Sequence, residues 1–293
     1  TTATGGGAGI GSQSTSLIED CLIENNTVTG SGKGGGGIYV ATSGGTVINN
    51  CTLKNNTAAG TVGGINIYFS SLQTGGVTVN NTEFTENKAL GTIGGGINAH
   101  ANTTTPISIN GCTFNGNTSA TYGGAVQVQT GSLVIGKSVF VNNIAGTSTL
   151  NAGSAVYGQL AFELSNSLIV NNSGTSTIYI KSSNTKLYNN TIAQNSGSVA
   201  FFATVDIGGD IRNCILSGNS SFFGYKDVTS IYLTIINTAF SGDISGMTYL
   251  GSGCFGDIIS DETYNLPTNF QGASTNSIDS LAIVNANWEL KYN

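Results

Sequence analysis

Apolar and polar residues alternate in short runs, and the runs return at a regular interval along the chain. In VTVNNTEFTEN (77–87), Val77 and Val79 share one face, Asn80 and Asn81 interrupt the alternation, and Thr82 and Phe84 resume it on the inner side. The pattern predicts strand, sharp corner, strand. With Phe84 as anchor, equivalent apolar residues stand at Ile23, Leu53, Phe114, Phe140, Ile169, Ile192, Leu216 and Phe240, spaced by 30, 31, 30, 26, 29, 23, 24 and 24 residues. Five places before each anchor lies a β-branched residue or Leu: Ile18, Ile48, Val79, Ile109, Ile135, Leu164, Leu187, Ile211 and Ile235. Three places after it lies Asn in eight copies, from Asn26 to Asn219, and Asp243 in the ninth. A third strand follows paired glycines in GGIYV (36–40), GGINI (63–67), GGINA (95–99) and GGAVQV (123–128), and continues as GSAVYG (153–158), IYI (178–180) and AFF (200–202).

A unit of three short strands cannot bury its apolar face alone and must stack on its neighbours. The expected fold is all-β: a right-handed single-stranded parallel β-helix of about nine to ten coils of three strands over residues 1–246, with a C-terminal capping segment at 247–293. Stacking at ~4.8 Å sets each position above its own copy, so the interior becomes ladders of like residues. On this reading the corner Asn supplies both a left-handed backbone and an amide for the next coil, and the glycines supply positive φ before the third strand.

Composition narrows this picture. With 43 Gly, 2 Pro and abundant Asn, Thr and Ser, the chain favours corners over helices. A net charge of −6 and nine basic residues leave no cationic stripe for a phosphate backbone, which excludes nucleic acid as a partner. No apolar run reaches the ~20 residues of a membrane span. Thr1 directly precedes a GAGI strand (7–10) with neither leader nor cap, so native sequence and any export signal are expected upstream.

Four cysteines, Cys21, Cys51, Cys112 and Cys214, stand two places before an anchor and face the core, where Cys acts as a small apolar side chain. They read as buried free thiols. Only Cys21 and Cys51 lie on adjacent coils, where a disulfide is conceivable, and Cys254 is an unpaired thiol near the end. No His or CxxC accompanies them, so neither a metal site nor a cofactor is expected.

Asp206, Asp210 and Arg212 in VDIGGDIRN (205–213) are the candidate catalytic set, because polysaccharide cleavage needs carboxylates beside a basic group. The competing structural reading is favoured. Glu163, Lys186 and Asp210 lie six places before successive anchors and predict an ion-pair ladder on a sheet face, with Glu24 and Lys54 as a similar pair. His100, in AHANTTTP (99–106), reads as a solvated loop residue. The GG pairs precede strands, not helices, so they form no phosphate loop. The Asn-x-Ser/Thr sequons at Asn25, Asn55 and Asn80 read as corner residues.

The connection from the Asn corner to the glycine strand varies in length: 27–36, 57–63, 88–95, 118–124 and 144–154. Such segments stack along one rim, where insertions and binding surfaces concentrate. Tyr39, Tyr68, Tyr122 and Tyr157 are the candidate platforms for sugar rings. The final segment carries Trp288, Pro267 and the acidic Asp257, Asp261 and Glu262. It is expected to cap the open end of the solenoid, with anchoring or partner docking as the alternative.

GGAV (123–126) and GGI (36–38, 63–65, 95–97), paired with FTEN (84–87), FNGN (114–117) and FVNN (140–143), resemble the repeats of the chlamydial polymorphic outer-membrane proteins over residues 5–158. NNTIAQNS (189–196) and RNCILSGNSS (212–221) are more similar to choice-of-anchor β-helix proteins of Bacteroidetes. The resemblance implies secretion or cell-surface display, outer-membrane association through segments outside this chain, and roles in adhesion or glycan contact. The expected function is a non-catalytic surface scaffold, an adhesin or glycan-binding protein. Its partner would be an extracellular polysaccharide or a host-surface glycan or protein. A polysaccharide lyase or glycoside hydrolase is the alternative.

The stacked anchors carry a direct test. Phe114→Asp sets an unpaired carboxylate between two aromatic rings and should cost about 4 kcal/mol or more, unfolding the middle coils. Thermal and urea denaturation measure the loss, and wild-type melting behaviour would contradict the ladder.

Overall fold

Alternation within each unit becomes parallel pairing between units. The computed structural model describes residues 2–3, 6–30, 34–41, 45–73, 75–91, 93–103, 107–146, 153–160, 162–181, 185–202, 206–225, 230–236 and 238–241. Among them, three sheets of nine parallel strands and one of six run side by side along a solenoid. The leading sheet runs from Ser16–Glu19 to Ser230–Ile236, the anchor sheet from Leu22–Glu24 to Ala239–Ser241, and the glycine sheet from Ile10–Ser12 to Ser221–Tyr225. The anchors pair in unbroken register from Ile23 to Phe240. The residues five places earlier pair likewise from Ile18 to Ile235. The expected terminal cap, 247–293, lies outside the described residues.

The fourth sheet departs from the three-strand expectation. It is built of two-residue strands, Thr2–Ala3, Thr27–Val28, Thr57–Ala58, Lys88–Ala89, Thr118–Ser119 and Ile144–Ala145. These occupy the start of what the sequence suggested was variable rim. Val28, Ala58, Ala89, Ser119 and Ala145 are buried on its inner side. A run of two residues is too short to show alternation.

The core is apolar along its centre, with Phe84, Phe114 and Phe140 stacked at ring-centroid distances of 4.7 and 4.8 Å and interplanar angles of 8°. Identical rings lie above one another because the strand spacing nearly equals an offset stacking distance.

Buried corners need polar partners, and the chain supplies them one coil away. From Asn26 to Asn195, each main-chain N–H donates to the Oδ1 of the next ladder Asn at 2.9–3.1 Å. Each Nδ2 donates to the same oxygen at 2.8–3.0 Å. From Asn56 to Asn219, Nδ2 also donates to the carbonyl of the previous coil's anchor at 2.8–3.1 Å. Two donors and two lone pairs are thus used in full, which is what makes burial of the amide affordable.

The left-handed backbone belongs to a different residue. The positive φ falls one place before the ladder Asn, at Asn25, Asn55, Glu86, Gly116, Asn142, Asn171, Gln194 and Gly218. A second series marks the other corner: Asp20, Asn50, Asn81, Gly111, Lys137, Asn166, Asn189 and Asn213. Glu86, Lys137 and Gln194 adopt it without a small polar side chain, so the ladders, not local preference, hold these corners. The paired glycines are likewise corrected: of the GG positions before the third strands, only Gly123 has positive φ. Their role is close approach. A Cβ on Gly64 would meet Gly96 O at 2.2 Å, and one on Gly95 would meet Gly124 O at 2.3 Å.

The four ladder cysteines are free thiols, Cys21 half-buried and Cys51, Cys112 and Cys214 buried, while Cys254 lies outside the described residues. They do more than fill apolar space. At this position each main-chain N–H donates to the side chain one coil on, as in Cys51 N to Thr82 Oγ1, Cys112 N to Ser138 Oγ, Ser167 N to Asn190 Oδ1 and Asn190 N to Cys214 Sγ. Cys, Ser, Thr and Asn interchange there because each offers an acceptor on a short side chain. Burial pushes the Cys112 and Cys214 thiols up to about 11.

Asn117→Asp preserves shape while replacing the Nδ2 that faces Phe84 O and Asn143 Oδ1 with an oxygen. It should destabilise the protein by roughly 3 kcal/mol or more in chemical denaturation. The outward-directed Asn115→Asp should stay within about 0.5 kcal/mol.

Candidate functional site

Outward positions on the glycine sheet form two files, two residues apart on each strand. In the first, Tyr39, Asn66, Asn98, Gln127, Tyr157 and Tyr179 pair in register on successive coils. In the second, Tyr68 pairs with His100. The first file is covered despite facing away from the core: Asn66, Asn98, Gln127, Tyr157 and Tyr179 are all buried. The rim turn of one coil folds across the next, with Gly94 N–H donating to Gln127 Oε1 at 3.1 Å and Gly123 packed on the Gln127 side chain. Rim and outer sheet face therefore make one surface.

The four candidate tyrosines separate on this surface. Tyr39 is half-buried within the first file. Tyr122, on the rim, tilts against Tyr157 at 5.0 Å and 43°, and Tyr157 stacks on Tyr179 at 4.7 Å and 3°. Tyr157 is only 4% exposed, with a ring on either side, so neither of its faces is open to a sugar. Its hydroxyl accepts from Gln159 Nε2 at 3.1 Å, and burial raises the phenols of Tyr157 and Tyr179. Tyr179 escaped the sequence reading, although it occupies in IYI the place that Tyr157 holds in GSAVYG.

Tyr68 is half-buried and stacks on His100 at 5.0 Å and 12°. His100 lies in the strand Ile97–Thr103, not in a solvated loop, because the glycine strand runs on past the GGINA motif. Its Nδ1 stands 3.2 Å from Gln129 Oε1, within hydrogen-bond distance. Beside it, Asn98 Nδ2 donates to Asn66 Oδ1 at 2.8 Å, while Asn98 Oδ1 accepts no hydrogen bond. The Tyr68 and His100 rings and the Gln129 amide thus share one strip of partly exposed surface, beside the buried Asn66 and Asn98.

The charged candidates sit on the leading sheet. Glu163, Lys186 and Asp210 pair in register, and Lys186 Nζ reaches Glu163 Oε2 at 3.8 Å. Arg212 Nε donates to Asp210 Oδ1 at 2.6 Å, and Tyr188 donates to Asp210 Oδ2 at 2.9 Å. Partial burial raises the Asp210 carboxyl, but these two hydrogen bonds and the charges of Arg212 and Lys186 outweigh it and hold the group below the ordinary carboxylate range. Such a group is ionised at neutral pH and poorly placed to act as a general acid. Asp206 starts the same strand, about 13 Å away along it, and pairs with Ser230. Glu24 and Lys54 are in register but are not an ion pair among the described residues. No group of three His, Cys, Asp or Glu among the described residues is arranged to hold a metal.

Residues 1–114 match the family described as right-handed beta helix region. The solenoid is a right-handed parallel β-helix. No curated protein and no solved structure matches the chain. The β-helix is a scaffold on which unrelated functions are built, so its sites must be argued from their own chemistry.

The Tyr188–Asp210–Arg212 cluster has a spectroscopic signature. Burial, then donation to the Asp210 carboxylate, raises the Tyr188 phenol. Asp210→Asn should lower it part of the way towards ~10, as followed by NMR titration. In the wild type, the contact's small stabilising effect is present above the ordinary carboxylate pKa and is lost as the pH falls through the depressed value of Asp210.

Proposed function

We propose that this β-helix is a surface-displayed binding scaffold that holds an extended, uncharged glycan along the outer face of the glycine sheet. The Tyr68–His100 pair carries the reading. Its rings lie parallel and partly exposed, one coil apart, with the Gln129 amide beside them. Sugar rings bind by laying an apolar C–H face on an aromatic ring while amides take the hydroxyls, and a solenoid repeats such a row along its axis.

Charge supports a neutral ligand. The strip of Tyr68, His100 and Gln129 contains no carboxylate, lysine or arginine, and the chain's net charge of −6 repels uronides. The ion-paired Asp210 and Arg212 satisfy one another on a different sheet. Secretion and surface display rest on the resemblance to outer-membrane and choice-of-anchor proteins.

A glycan array probed with the full chain tests this reading. Binding to a neutral polysaccharide should weaken roughly tenfold in Tyr68→Ala and in His100→Ala, and remain unchanged in Asp210→Asn. Binding indifferent to both aromatic substitutions would move the site elsewhere. Cleavage of a uronide polymer that Asp210→Ala abolishes would replace the scaffold with an enzyme.

A further inference from the structure

We infer that Cys21 and Cys51 are a disulfide site, able to staple two successive coils when a small-molecule or protein disulfide is present as oxidant. They stand thirty residues apart in sequence and at the same ladder position on adjacent coils. Leu22 pairs with Thr52, and Thr52 N–H donates to Cys21 O at 2.8 Å. In-register parallel strands lie about 4.8 Å apart, within the Cα separation that disulfides span. The Cys21 N–H and thiol are both hydrogen-bonding neighbours of the Cys51 sulfur. Each thiol also donates to the carbonyl two residues back, Cys21 to Glu19 O at 3.0 Å and Cys51 to Asn49 O at 3.1 Å, so the two side chains leave their strands in the same sense.

The rest of the ladder isolates this pair. Thr82 follows Cys51, and Ser138, Ser167 and Asn190 separate Cys112 from Cys214, so among the described residues no other cysteines adjoin. Access is asymmetric. Cys21 is half-buried and open to reagent, whereas Cys51 is buried.

The order of events follows. The Cys21 thiolate attacks one sulfur of an external disulfide, forming a mixed disulfide and releasing one thiolate. The Cys51 thiolate then attacks the Cys21 sulfur, forming the Cys21–Cys51 bond and releasing the second thiolate. Two protons leave the protein's thiols, and two electrons pass to the external disulfide. Burial raises the Cys51 thiol, so the second step accelerates as pH rises. The closed loop removes freedom from the unfolded chain and ties the coil of Leu22–Glu24, an edge strand among the described residues, to the neighbouring coil of Thr52–Lys54.

Oxidised glutathione, applied to the reduced full chain, is the test. The thiol count in denaturant should fall by two from five, peptide mapping should join Cys21 to Cys51, the rate should rise from neutral to alkaline pH, and the oxidised form should melt higher. Cys21→Ser should abolish the loss. Serine already occupies this ladder position at Ser138 and Ser167 and donates there to the carbonyl two residues back, so that variant keeps the bond that Cys21 makes to Glu19 O. An unchanged thiol count, a product that stops at glutathione on Cys21, a link to Cys254, or a loss that persists in Cys21→Ser would each overturn the pair.

Discussion

Each coil of this β-helix turns its buried corner by handing an amide to the coil beside it. The ladder Asn accepts two hydrogen bonds from one neighbour and donates to both, so no amide is satisfied until its copies are in place. A buried amide left without partners costs more than a typical net hydrogen bond returns. The corner is therefore the element that makes stacking obligatory, and with it the register of every strand that leaves the corner.

Other features follow from that register. Once the coils sit one strand spacing apart, phenylalanines fall into stacking distance, and a thiol, hydroxyl or amide becomes interchangeable two places before the anchor because each can accept the same N–H. The left-handed residues can then be Glu, Lys or Gln, since the ladders on either side impose the backbone. The glycine turns are constrained differently. There the backbones of neighbouring coils approach until a Cβ would collide with a carbonyl, and the rim segment folds down onto the next coil's outer face. That fold-over is what brings Tyr122 against Tyr157.

Surface chemistry divides accordingly. On the leading sheet, Asp210 is bound to Arg212 and Tyr188, which stabilises its charge and removes it from acid chemistry at neutral pH. On the glycine sheet, Tyr157 is enclosed by rings, whereas Tyr68 and His100 keep part of their surface in solvent. Aromatic residues that look equivalent along the chain thus differ in availability, because the rim covers one file of the sheet and spares the next.

Period-two alternation, the spacing of the anchors and the recurring Asn are local patterns, and they determined the solenoid, its three principal sheets and their register from Ile23 to Phe240. Contacts between coils are not encoded in any one repeat. The two-residue fourth sheet, the transfer of the left-handed conformation to the residue before Asn, and the use of glycine for space all emerged only when copies were set side by side. His100 shows the same limit: the sequence around it reads as a loop, and only the extended strand places its ring on Tyr68. A strand's face can be read from alternation, but which outward side chains stay open depends on how the neighbouring coil's turn lies across them, and that is decided in three dimensions.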